Sequence, residues 1–101
     1  MNIIYSIQIT QKAGQDVETI FSYLSDERPT SAAKFIVEFE AHVRDLRWSP
    51  TRYPKIRERF RHRRVYRHVL FHRYRIIYRI QHRKVFVLRV IHQSQLLLEV
   101  E

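Results

Sequence analysis

Apolar and polar residues alternate at period two over residues 3–9. Ile3, Tyr5, Ile7 and Ile9 share one side, while Ser6 and Gln8 share the other. Branched and aromatic residues at that period predict a strand, and Thr10 stands where a helix cap belongs. The period then changes. Ala13, Val17, Ile20, Phe21 and Leu24 form one helical stripe over residues 11–26. Gly14 interrupts it, and close packing against a neighbouring element would account for a residue of such low helix propensity. Arg28-Pro29-Thr30 breaks the pattern, with Thr30 or Ser31 as the expected next cap. A second stripe of Ala32, Phe35, Ile36, Phe39, Val43 and Leu46 predicts a helix over 31–48, ended by Trp48-Ser49-Pro50. The short linker makes the two helices an antiparallel hairpin.

Residues 51–62 carry Pro54 and read as an ordered, irregular basic connection. Period two returns afterwards. Arg63–Phe71, Tyr74–Ile80 and Lys84–Ile91 read as three strands separated by two or three residues, hence an antiparallel meander. The turns His72-Arg73 and Gln81-His82-Arg83 lack the usual Asn-Gly chemistry. The tail Gln93–Glu101 fits a short helix, a further strand or a partner-binding segment. An apolar hairpin face and an apolar sheet face bury each other in a two-layer α+β domain. The length of 101 residues suits one domain, 1–101, and not two.

Composition narrows the chemistry. A hydrophobic fraction of 45% supports a core, and the absence of cysteine excludes disulfides, thiolate zinc sites and a cysteine nucleophile. No apolar run approaches the roughly 18 residues of a membrane span. The N-terminus has no basic region followed by an apolar stretch, so the expectation is a cytoplasmic protein without an export signal or membrane contact.

Charge is segregated. Residues 1–50 hold five basic and seven acidic side chains, whereas residues 51–101 hold fourteen basic, twelve of them arginine, and three acidic. Guanidinium forms forked hydrogen bonds to phosphate, and an acidic protein segment fits the same cations. The run Arg61-His62-Arg63-Arg64 continues into Arg67, Arg73, Arg75, Arg79, Arg83 and Arg89, and predicts one contiguous electropositive platform on the sheet. Strand alternation puts Arg75 and Arg79 on one face, apart from Tyr74, Ile76, Tyr78 and Ile80, with Ile77 between the two arginines. A partner is expected to cover that face. The histidines at 62, 68, 72, 82 and 92 have no carboxylate or cysteine at ligand spacing, so no metal or other cofactor is expected.

The element order, the helical stretches Thr10–Leu24 and Ala32–Leu46, Pro50 and Pro54, the strand Tyr74-Arg75-Ile76-Ile77-Tyr78-Arg79-Ile80 and the segment Val85–His92 together resemble the RelE/ParE superfamily of bacterial toxins. The resemblance covers roughly residues 3–95. It implies a growth-inhibiting toxin neutralised by a cognate antitoxin protein. One branch of the superfamily cuts messenger RNA in the ribosomal decoding site; the other inhibits DNA gyrase. Metal-independent RNA cleavage needs a base, an acid, cations around the phosphorane and an in-line substrate. By resemblance Arg75 matches the nuclease arginine of Tyr-Arg-x-x-Tyr, and Arg67 and His68 are the nearest matches to basic residues of the preceding strand. His92 ends the last strand and is a candidate acid or base. The nuclease branch places a second arginine at about Gln93 and an aromatic hydroxyl near the C-terminus, and this chain has no tyrosine after Tyr78. Its Leu-Arg-Val-Ile-His-Gln ending is more similar to the gyrase-inhibiting branch. The expectation is therefore a gyrase inhibitor, with ribosome-dependent cleavage as the alternative and a non-toxic nucleic-acid-binding module as a reading of another class. Arg61, Arg63, Arg64, Arg67, Arg73, Arg79 and Arg89 are the expected binding cations. Arg75, His92 and His68 are the catalytic candidates under the nuclease alternative alone.

Overall fold

A computed structural model describes residues 4–62 and 64–101. Ile3 and Arg63, both named above, lie outside the described residues. Strand β1 (Ser6–Ile9) leads into helix α1 (Gln11–Glu27) and helix α2 (Pro29–Asp45); β2 (Arg67–Phe71), β3 (Tyr74–Gln81) and β4 (Lys84–His92) follow. The sheet order is β1-β4-β3-β2. The last three strands form the expected antiparallel meander. β1 joins the outer edge of β4 in parallel, with Ile7 opposite Val85 and Ile9 opposite Val87, which makes the sheet mixed.

Thr10 caps α1, its side chain accepting a hydrogen bond from the Ala13 N–H. A single residue, Arg28, joins the helices. Its extended backbone (φ −151°, ψ 101°) ends one and starts the other. α2 therefore begins at Pro29, earlier than Thr30 or Ser31, because proline is preorganised for the first helical position and has no N–H to leave unpaired. It also ends earlier, at Asp45. Gly14 has open space where a Cβ would stand, so close packing does not explain it.

One face of the sheet packs on the hairpin. Ala13, Phe35, Phe39, Val43 and Leu46 meet Val69, Phe71, Ile76, Tyr78, Val85, Val87 and Val90. Phe21 of the expected stripe is 40% exposed and stands outside this core. The pairing of β3 with β4 shifts register between Ile77 and Tyr78, which lets Val90 rejoin Val85 and Val87 on the helix side. Both tight turns place a histidine at positive φ, His72 at 52° and His82 at 57°. Positive φ at the first loop residue alone carries the φ signs of a type II′ turn, which follows strand twist without Asn-Gly.

The second face is not an open cationic platform. Ile77, Leu88 and Ile91 bury themselves there against Tyr66 and Val100, with Ile56, Phe60, Phe86 and Leu97 around them. The chain's own connection and its irregular tail supply that cover, so the expected partner is not needed to shield the apolar residues. The connection extends further than expected, since β2 starts at Arg67 and not at 63. Its base pairs with the outer edge of β2: the Ile56 N–H donates to the Tyr66 carbonyl and the His68 N–H to the Pro54 carbonyl.

Candidate nucleic-acid or partner interface

Arg75, the second residue of β3, projects into the second face and is 1% exposed. A guanidinium so far from water needs a countercharge. Glu58, on the connection, provides it. One Arg75 nitrogen donates to Glu58 Oε1 at 3.1 Å, and the other donates to Oε2 and to the Gln95 carbonyl at 2.6 Å. The Leu97 N–H donates to the same carboxylate at 3.2 Å, so the ion pair ties connection, sheet and tail together. Burial would raise the Glu58 pKa, but hydrogen bonds from Arg75, its own backbone and Leu97 outweigh it and lower the value to about 2. Arg75 Nε, also buried, has no hydrogen-bond partner.

His68 lies beside this pair, its Nδ1 at 3.3 Å from an Arg75 nitrogen. Arg75 must donate, so His68 Nδ1 accepts and the ring is neutral. Burial, then the Arg75 charge, lower its pKa. Lys55, Arg57, His68, Leu70, Arg75 and Gln93 line a cavity of about 290 Å³. Thus Arg75 and His68 lie side by side. His92 does not join them; it lines a separate groove of about 380 Å³ beside α1, with Asp16, Tyr23 and Arg89. Its Nδ1 accepts the Ser94 N–H at 3.1 Å, closing a turn after β4. Gln93 donates to the His72 carbonyl at 2.7 Å and serves the β2–β3 turn.

The remaining arginines do not share one surface. Arg89 makes a forked bond to Asp16 of α1, at 2.7 and 3.1 Å, and is half-buried. Arg67 donates to the Tyr53 carbonyl at 2.6 Å. Arg64, Tyr66 and Arg79 converge on the Glu101 carboxylate at 2.7, 2.8 and 3.0 Å. Burial raises the pKa of that carboxyl, and the three donors more than reverse the effect. Arg79 also lies over the Phe86 ring, 4.5 Å from its centre. Arg73 and Arg61 are exposed, at the β2–β3 turn and on the connection.

Sequence reasoning missed Glu58, although it is the sole acidic residue between Leu46 and Leu98. An unpaired acid in so basic a stretch is the signal that could have marked it. It also missed Lys55, Arg57 and Arg59. Together with Arg61 these are exposed, while Ile56, Glu58 and Phe60 between them are half-buried. Among the described residues no cluster of three or more His, Asp or Glu side chains could hold a metal ion, and no helix is long and apolar enough to cross a membrane.

Residues 7–97 match the family described as the ParE toxin of type II toxin–antitoxin system, parDE. A solved structure of the chromosomal ParDE TA system from P. aeruginosa shares the fold at TM-score 0.72 and 16% identity, covering 88% of this chain and 96% of the other. The toxin–antitoxin complex RelBE2 from Mycobacterium tuberculosis is similar at TM-score 0.58 and 26% identity, covering 90% of this chain and all of the other. No curated protein matches significantly.

Proposed function

The chain belongs to the ParE toxin family of type II toxin–antitoxin systems, and we propose that it arrests growth by inhibiting DNA gyrase and is neutralised by a cognate antitoxin protein. The observation that carries the choice of target is the buried, two-pronged ion pair of Arg75 with Glu58. A nuclease of the alternative branch needs the guanidinium at this position to face a scissile phosphate and stabilise developing charge. Here a carboxylate already neutralises it, and would repel a phosphate. His92, the other expected proton-handling group, lines a different groove. Gln93 is bound to a turn carbonyl. A gyrase inhibitor requires none of these groups to do chemistry. The two toxin–antitoxin systems of similar fold support an antitoxin partner for this chain.

One observation favours the second reading, ribosome-dependent messenger cleavage. Neutral His68 borders the cavity of about 290 Å³ with Lys55 and Arg57, an arrangement in which a base faces free cations. A single comparison decides. Purified protein is assayed in parallel on gyrase supercoiling and on translating ribosomes. Loss of supercoiling with intact messenger is the expected result. Cleavage of ribosome-bound messenger at the decoding site, with supercoiling untouched, would reverse the assignment.

A further inference from the structure

We infer that the connection between α2 and β2 carries a docking edge for the phosphate backbone of duplex DNA, formed by Lys55, Arg57, Arg59 and Arg61. The alternating burial of residues 55–61 turns these four side chains to solvent and Ile56, Glu58 and Phe60 toward the protein. The edge is held from behind at several points. Ile56 bonds to Tyr66 through the backbone, Glu58 to Arg75, and Phe60 meets Tyr66 edge-on at 5.6 Å. Among the described residues none of the four cations has a carboxylate within ion-pair distance; the paired cations are Lys34, Arg64, His72, Arg75, Arg79 and Arg89. Arg57, Arg59, His62 and Arg64 also line a concavity of about 710 Å³, so the edge borders a hollow.

The spacing suits a polyanion of regular pitch. The six steps from Lys55 to Arg61 span at most about 20 Å, against which one DNA strand offers a phosphate every 3.4 Å or so of axis. Four positive charges thus fall within about six consecutive phosphates. Duplex fits better than unpaired nucleic acid. Within residues 55–61 the one aromatic ring, Phe60, is half-buried with His62 stacked on it at 5.5 Å, which leaves the exposed His62 imidazole at the end of the row as the single ring beside the cations and no series of rings for successive bases. It also fits better than an acidic peptide, because no exposed apolar side chain is interleaved with the cations to anchor one. The contact is blind to base sequence, and it requires no gyrase, so its test is separate from the supercoiling assay.

The test is fluorescence anisotropy of a labelled 20-base-pair duplex with the purified protein, over salt from 50 to 200 mM. Four phosphate contacts predict a slope of about −3.6 in log K against log salt, or roughly 100-fold weaker binding across that range. Unrelated duplexes should bind alike. The variant R59Q should lose about one unit of slope, and K55Q/R57Q/R59Q/R61Q nearly all of it. R57K/R59K/R61K, which keeps the charge, should retain it; that control, with R59Q, guards against a quadruple variant that fails to fold. An unchanged slope in R59Q would overturn the inference. Equally tight binding of single-stranded RNA or of polyglutamate would do the same, pointing to unpaired RNA or to an acidic protein segment.

Discussion

Arg75 of β3 and Glu58 of the preceding connection hold each other through two hydrogen bonds beneath the second face of the sheet. Their side chains are 1% and 6% exposed. The pair does two things at once. It pins the connection against the sheet, leaving the flanking cations outward, and it gives the buried Arg75 guanidinium its countercharge.

Removing either partner strands the other charge away from water. Glu58→Gln should therefore lower stability by about 3–5 kcal/mol, read as the shift of the urea midpoint. Replacing both together, as E58L/R75M, should recover most of that loss. A single variant as stable as the parent would show that the pair is not buried in solution.

Acid should weaken the fold through the same carboxyl. Its pKa falls from the ordinary 4.5 to about 2 on folding, so the unfolded chain binds the proton more tightly. Stability is then fully present above about 4.5 and declines as pH drops through about 2, by about 1.4 kcal/mol per pH unit within the window. His68, lowered from 6.5, adds a loss that begins at higher pH with the same sign. Thermal melts of the parent and Glu58→Gln across this range should diverge above pH 4.5 and converge toward pH 2.

Gly14 occupies the second turn of α1 with nothing near its missing Cβ. Gly14→Ala should raise stability by about 0.5–1 kcal/mol through helix propensity and reduced unfolded-state entropy. A destabilised variant would reveal a contact that the fold does not display.

The tail closes the second face by one buried side chain, Val100, and one carboxylate, Glu101. Val100→Ala should cost about 2 kcal/mol. Glu101→Gln should speed amide exchange in residues 95–101 while leaving β3 protected. Equal protection in both proteins would mean that Leu97 and the Glu58 bond suffice to hold the tail.

Much of the fold was legible because hydrophobic period is a local property. The stripe Ala13, Val17, Ile20 and Leu24 had to face a core, and Tyr74, Ile76, Tyr78 and Ile80 had to face the same one. Arg75 and Arg79 were placed on the correct strand face, and Thr10 at its cap. What failed was everything that depended on which distant segment would lie over that face. Period two says that Arg75 and Ile77 point away from the helices, but it is silent on whether water, a partner or the chain's own Ile56, Phe60, Tyr66, Leu97 and Val100 cover that face. The turns escaped for a related reason: His72 and His82 accept a left-handed backbone that their side chains do not advertise.

From the amino-acid order alone came two helices, three consecutive strands and a lopsided charge, since each follows from neighbours a few positions apart. The tertiary structure alone decided which of those charges are free. Arg64, Arg75, Arg79 and Arg89 found carboxylates far away in the chain, while Lys55, Arg57, Arg59 and Arg61 found none among the described residues. Ion pairing depends on proximity in space, and burial makes it compulsory for some cations and leaves others to solvent.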